Sequence, residues 1–167
     1  MQLELVVGAA AVGIGATLAM DLWNLFLKAA FGIPSLDLCL LGRWVAHMPA
    51  GTFRHERIGA APPKKGECVI GRIAHYGIGV GLASALALLT SGESLLRPAL
   101  LPALLFGIVT VVFPFFLMQP ALGLGVASAR TPDPARARLK SLMSHGAFGI
   151  GLWASALAVS SLLRGHP

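Results

Sequence analysis

Four long apolar runs, at roughly 3–31, 70–90, 100–118 and 141–163, constrain this chain more than any other feature. Each is close to or longer than the ~20 residues that a helix needs to cross a bilayer. With 56% hydrophobic and only 12% charged residues, and a mean hydropathy of +0.77, the chain falls far outside the range of soluble domains, which are about 25% charged. A core of 167 residues could not hide this much apolar surface from water. The expectation is an all-helical integral membrane four-helix bundle, a single transmembrane domain over 1–167. The partner that this composition implies first is the lipid bilayer.

The only early charge is Glu4 and the first apolar run is long. It therefore reads as a retained first helix and not as a secretory signal peptide, which would open on positive charge. Lys and Arg gather in the first connection (Arg43, Arg54, Arg57, Lys64, Lys65, Arg72) and the third (Arg130, Arg136, Arg138, Lys140). The second connection has Arg97 and the C-terminal tail Arg164. Because positive charge marks cytoplasmic loops, both termini are expected on the periplasmic side of a multi-pass protein of the inner membrane. The net charge of +6 then reflects topology and attraction to anionic lipid. No basic patch interleaved with aromatics points to nucleic acid. Cys39 and Cys68 share the first loop; were it cytoplasmic, glutathione would keep them reduced, so free thiols are expected.

Within that loop (about 32–69), Gly32 and Pro34 end the first run and Ser35 is a candidate N-cap. Leu36, Leu40, Leu41, Trp44, Val45 and Met48 recur at three- and four-residue spacing. An interfacial amphipathic helix at about 35–48 follows. Pro49 and Gly51 end it, and 51–67 reads as an ordered or partly ordered loop. Pro102, Pro114 and Pro120 interrupt the third run, predicting a bent or broken helix. In Thr131-Pro132-Asp133-Pro134, Asp133 is the expected N-cap and Pro134 the first helical residue.

The motif His-x-x-x-Gly-x-Gly-Leu occurs twice, as His75, Gly79, Gly81, Leu82 and as His145, Gly149, Gly151, Leu152. It suggests an internal repeat of two helical hairpins. Gly13-Ile14 with Thr17 loosely parallels Gly107-Ile108 with Thr110 in the odd-numbered runs. Gly77, Gly79, Gly81, Gly149 and Gly151 fit the small-residue pattern that lets membrane helices approach closely.

On the first helix Gly13, Thr17, Asp21, Asn24 and Lys28 fall on one face. An intramembrane Asp is costly and is read by default as functional. With the topology above, His75 and His145 are expected about one turn inside the cytoplasmic boundary, with Asp21 about two turns deeper on the same side, and these three form the candidate cytoplasmic-side metal or proton site. Thr17, Asn24, His47, His55, Glu56, Met118 and Gln119 are auxiliary candidates. Handling of a small cation, a proton or metal ion, is the first functional reading. A non-catalytic accessory or assembly subunit that binds a partner membrane protein, a second copy or lipid is the second. A metal- or haem-binding redox protein is the third, since paired imidazoles can ligate either. Met20, Met48, Met118 and Met143 suit soft copper, though Met is more often core filler. No catalytic triad, nucleophile elbow, Walker-type loop or dinucleotide fingerprint is present, which weighs against an enzyme and names no catalytic residue.

Gly15-Ala16-Thr17, Met20-Asp21-Leu22-Trp23, Gly42-Arg43-Trp44, His47-Met48-Pro49, His75-Tyr76, Met118-Gln119-Pro120-Ala121 and Thr131-Pro132-Asp133-Pro134 together resemble a bacterial family of small four-helix membrane proteins. That family is a domain of unknown function. The resemblance spans nearly the whole chain, implies a bacterial inner membrane and supplies no activity; Cys39 and Cys68 are not part of its pattern.

Overall fold

The computed structural model describes residues 2–164, with side chains over 5–162, so the flanking charges Glu4 and Arg164 lie outside the described side chains. It is all-helical, with no strand among the described residues. Among the described residues seven α-helices follow in order: α1 (Gln2–Phe31), α2 (Leu38–His47), α3 (Glu67–Leu89), α4 (Glu93–Leu96), α5 (Leu100–Val109), α6 (Gln119–Ala121) and α7 (Pro134–Arg164). Four stretches are long and apolar enough to cross a membrane: Leu5–Phe31, Glu67–Leu89, Leu100–Ala121 and Pro134–Leu162. They overlap the four runs of the sequence, the fourth span starting at Pro134 and not at about 141.

Local chemistry accounts for the boundaries. Gly32 adopts φ +66° and its N–H donates to the Lys28 carbonyl, a left-handed glycine closing α1. Asp133 caps α7 by accepting from the Arg136 N–H at 3.0 Å, as its position before Pro134 predicts. The cap of α2 differs from expectation. Asp37, not Ser35, accepts from the Cys39 N–H at 2.8 Å, and the Ser35 hydroxyl donates instead to the Asn24 carbonyl. The helix therefore begins at Leu38 and ends at His47.

The third span is broken where Pro114 stands. Proline supplies no N–H to the preceding turn, and Pro114–Met118 winds as a π-helix before α6 resumes. Pro102 sits in the first turn of α5, where no intrahelical donor is needed, and causes no break.

The chain divides into two compact units. The first comprises residues 1–35, 76–110 and 143–167, and the second residues 36–75 and 111–142. The core of the first is built largely from small residues, including Ala9, Val12, Ala16, Ala83, Ala103 and Ala156, with Phe148 and Leu152 between them. Its helices approach backbone to backbone. A Cβ on Gly13 would lie 2.5 Å from the Val80 Cα, and one on Gly107 2.5 Å from the Gly149 Cα. A Cβ on Gly79 would collide with the Thr17 hydroxyl, and one on Gly151 would meet the Ala16 Cα at 2.8 Å. Gly77 and Gly81 behave otherwise: a Cβ there would meet nothing within 4 Å. Close helix approach therefore explains Gly79, Gly149 and Gly151 but not these two.

The second unit is tied differently. Cys39 and Cys68 form a disulfide, which corrects the expectation of free thiols. That expectation followed from the charge of the loop, whereas the pairing follows from how α2 meets the start of α3. Gly42 and Gly71 stand three residues after the two cysteines, and a Cβ on either would collide with the carbonyl of Glu67 or Leu38 on the facing helix. The pair Cys-x-x-Gly and Cys-x-x-Gly thus brings the two sulfurs together. Beside it Arg43 grips Glu67 with two hydrogen bonds, 2.9 Å from Nε and 2.7 Å from Nη2. Its Nη1 also donates to the Ala61 carbonyl, and the Lys64 N–H donates to Glu67. Such a fork-to-fork pair combines charge with fixed geometry. The 52–58 segment is ordered: the His55 N–H donates to the Ala121 carbonyl at 2.8 Å and the Ile58 N–H to that of Leu122 at 3.1 Å.

Candidate functional site

In the first unit, polar side chains from four helical stretches make three separate hydrogen bonds between helices. On α1, Asp21 and Asn24 lie one turn apart and are half-buried, whereas Leu18, Leu22 and Leu25 are exposed. Asp21 accepts from the Tyr76 hydroxyl of α3 at 3.1 Å. Asn24 accepts from the Ser144 hydroxyl of α7 at 2.7 Å. His145, next to Ser144, pairs through Nδ1 with the Thr110 hydroxyl at 2.8 Å. Thr110 is 3% exposed and its hydroxyl is also 2.6 Å from the Gly107 carbonyl. A carbonyl only accepts, so if the one Thr110 proton goes there, the hydroxyl accepts from His145 Nδ1–H. The imidazole is then held in one tautomer with Nε2 as its acceptor nitrogen.

Apolar helices carry these groups because buried polar atoms need partners. Each of the three helix pairs supplies one: α1 with α3, α1 with α7, and the end of α5 with α7. Thr17, the auxiliary candidate one turn above Asp21, donates to the Gly13 carbonyl at 2.8 Å and is 1% exposed. Lys28, at the end of the same face, is exposed. A cavity of ≈ 130 Å³ in this unit lies elsewhere, among Thr90, Glu93, Arg97, Leu86 and Trp153.

Sequence reasoning named Asp21 and His145 but missed their partners Tyr76 and Ser144, and it used Thr110 only to align the repeat. Tyr76 carried a signal, as the single tyrosine of the chain set inside an apolar run. His75, the third member of the expected trio, is half-buried and belongs to the second unit. Among the described residues, no group of three or more His, Cys, Asp or Glu is arranged to hold a metal ion.

The remaining auxiliary candidates fall in the second unit. Gln119 is 5% exposed; its amide is 3.4 Å from the Ser141 hydroxyl, and its Oε1 is buried without a hydrogen-bond partner. Glu56 is exposed, and its carbonyl crowds Gly123. Met118 closes the π-helical turn. The rings of His47 and His55 pack edge-on, 5.1 Å between centroids. His47 Nε2 is 3.0 Å from the Pro62 carbonyl. Both nitrogens of His55 are buried and have no hydrogen-bond partner. Burial, and secondarily the neighbouring His47, hold the His55 imidazole below the ordinary histidine pKa.

Four apolar spanning helices and a polar layer inside them define a polytopic α-helical membrane protein. The family model described as "Protein of unknown function (DUF2938)" matches residues 10–159, and the chain belongs to that family. No curated protein and no solved structure matches it.

Proposed function

We propose that this protein handles a small cation, foremost the proton, through the polar layer of its first unit. The observation that carries the reading is that Asp21, Tyr76 and His145, three titratable side chains on three membrane-spanning helices, each make a hydrogen bond between helices within one unit, Asp21 with Tyr76 and His145 with Thr110. Along their own spans Asp21 lies 10 residues before Phe31, Tyr76 9 after Glu67 and His145 11 after Pro134, so at about 1.5 Å per residue each is roughly 14–17 Å from the end of its helix. A carboxylate, a phenol and an imidazole accept and donate protons, and His titrates nearest to neutrality. His75, the residue before Tyr76 on the same helix, is a further candidate proton-exchanging group.

The setting that goes with this reading is a bacterial inner membrane with both termini periplasmic, as the Lys and Arg distribution favours. The Cys39–Cys68 bond pulls the other way, because disulfides persist in oxidising compartments. Alkaline phosphatase fused to the C-terminus is expected to be active; an inactive fusion with an active cytoplasmic reporter would reverse the orientation. The matched glycine crossings, Gly13 with Val80 and Gly107 with Gly149, favour the view that the two hairpins arose by duplication.

The reading is tested in proteoliposomes that enclose a pH-sensitive dye. Under an imposed membrane potential, wild-type protein is expected to pass protons faster than empty vesicles, and Asp21→Asn and His145→Ala are expected to bring the rate down to that of empty vesicles. Flux that persists in both variants, or a wild-type rate equal to that of empty vesicles, would reduce the layer to glue between helices.

A further inference from the structure

His55 sets a problem that the polar layer does not solve. An imidazole always carries at least one N–H and, when neutral, one lone pair, and burying both without partners is costly. Both its nitrogens are buried and unpartnered, although its backbone N–H is firmly bonded to the Ala121 carbonyl. The backbone is thus held in place while neither ring nitrogen has a polar protein atom within hydrogen-bond distance. The ring beside it has a defined tautomer. A carbonyl oxygen can only accept, so His47 Nε2 must donate to Pro62, leaving Nδ1 as the lone-pair nitrogen of a neutral ring. An imidazole whose other N–H is held by a backbone carbonyl is the usual arrangement of a metal-ligating histidine.

The spacing agrees. Two imidazoles on one tetrahedral ion, with metal–nitrogen distances of about 2.0–2.1 Å, have ring centroids about 5 Å apart; His47 and His55 are at 5.1 Å. The two cysteines of this unit are already paired, so thiolate ligands are not on offer, and imidazole suits zinc, copper and nickel.

We propose that His47 and His55 form a binding site for a borderline divalent transition metal, Zn2+ or Cu2+, with solvent completing the coordination. The ion would clip the 52–58 segment to the end of α2. This site is separate from the proposed proton layer and does not depend on it.

Full-length protein purified in detergent, stripped with chelator and titrated with Cu2+ or Zn2+ in a calorimeter tests the site. One equivalent is expected to bind. His47→Asn and His55→Gln are each expected to weaken binding roughly tenfold or more, while His145→Ala is expected to bind as wild type does. Binding by wild type that equals that of the His47→Asn/His55→Gln double variant would overturn the proposal. So would the absence of binding. The Cys39–Cys68 bond, read by thiol labelling, serves as the check that each variant is folded.

Discussion

The two units of this molecule are held together by different means. In the first, helices meet through Gly13, Gly79, Gly107, Gly149 and Gly151 over a core of alanines, with a thin set of hydrogen bonds among them. In the second, a disulfide, a forked ion pair and backbone bonds between the 52–58 segment and Ala121–Leu122 do that work. The difference follows from the solvent. Lipid gives helices no hydrophobic reason to associate, so close van der Waals packing through small residues must supply the attraction. Where loops replace spanning helices, long irregular segments carry a large conformational entropy, and covalent or charge-assisted ties that restrict it gain most.

The largest effect expected from breaking this contrast is at a helix crossing. A Cβ on Gly149 would stand 2.8 Å from the Ala103 carbonyl oxygen and the Leu104 Cα, so Gly149→Leu forces the backbones apart. It should destabilise the protein by about 3 kcal/mol or more, the upper end for overpacking, measured as thermal unfolding in detergent. Gly81→Leu, which meets open space, should change it little. Equal losses at the two positions would show that helix propensity, not close approach, governs the first unit.

Second in size is the disulfide. Cys39 and Cys68 are 29 residues apart, and opening a loop of that length should cost about 3 kcal/mol. Cys39→Ser/Cys68→Ser is expected to leave the spanning helices intact and to make the 52–58 segment protease-sensitive. Unchanged proteolysis would mean that the Arg43–Glu67 pair alone suffices to hold α2 against α3. The smallest effect belongs to the polar layer. Ser144→Ala removes one bond to Asn24, and hydrogen bonds between membrane helices average only about 0.6 kcal/mol. Stability should fall by about that amount, with a larger effect on proton flux than on unfolding.

Much of the fold could be read without coordinates because it rests on local rules. The four spans follow from length and hydropathy, the cap at Asp133 from its place before Pro134, and the break of the third span from a missing N–H at Pro114. Ser35 misled because Asp37, two residues on, is the better acceptor for the α2 donors. The candidate site was legible only in part. Asp21 and His145 stand out as titratable groups in apolar runs, whereas Tyr76 and Ser144 gain meaning only from what lies opposite.

The sequence by itself determined the number of membrane helices and which residues could not be left without a partner in lipid. The tertiary structure decided the partners: Tyr76 for Asp21, Thr110 for His145, Cys68 for Cys39 and His47 for His55. The physical reason is range. Capping, proline breaks and hydropathy act over a few neighbouring residues, while each of these pairings joins residues that only helix packing or a folded loop brings within reach, and no periodicity along the chain records it.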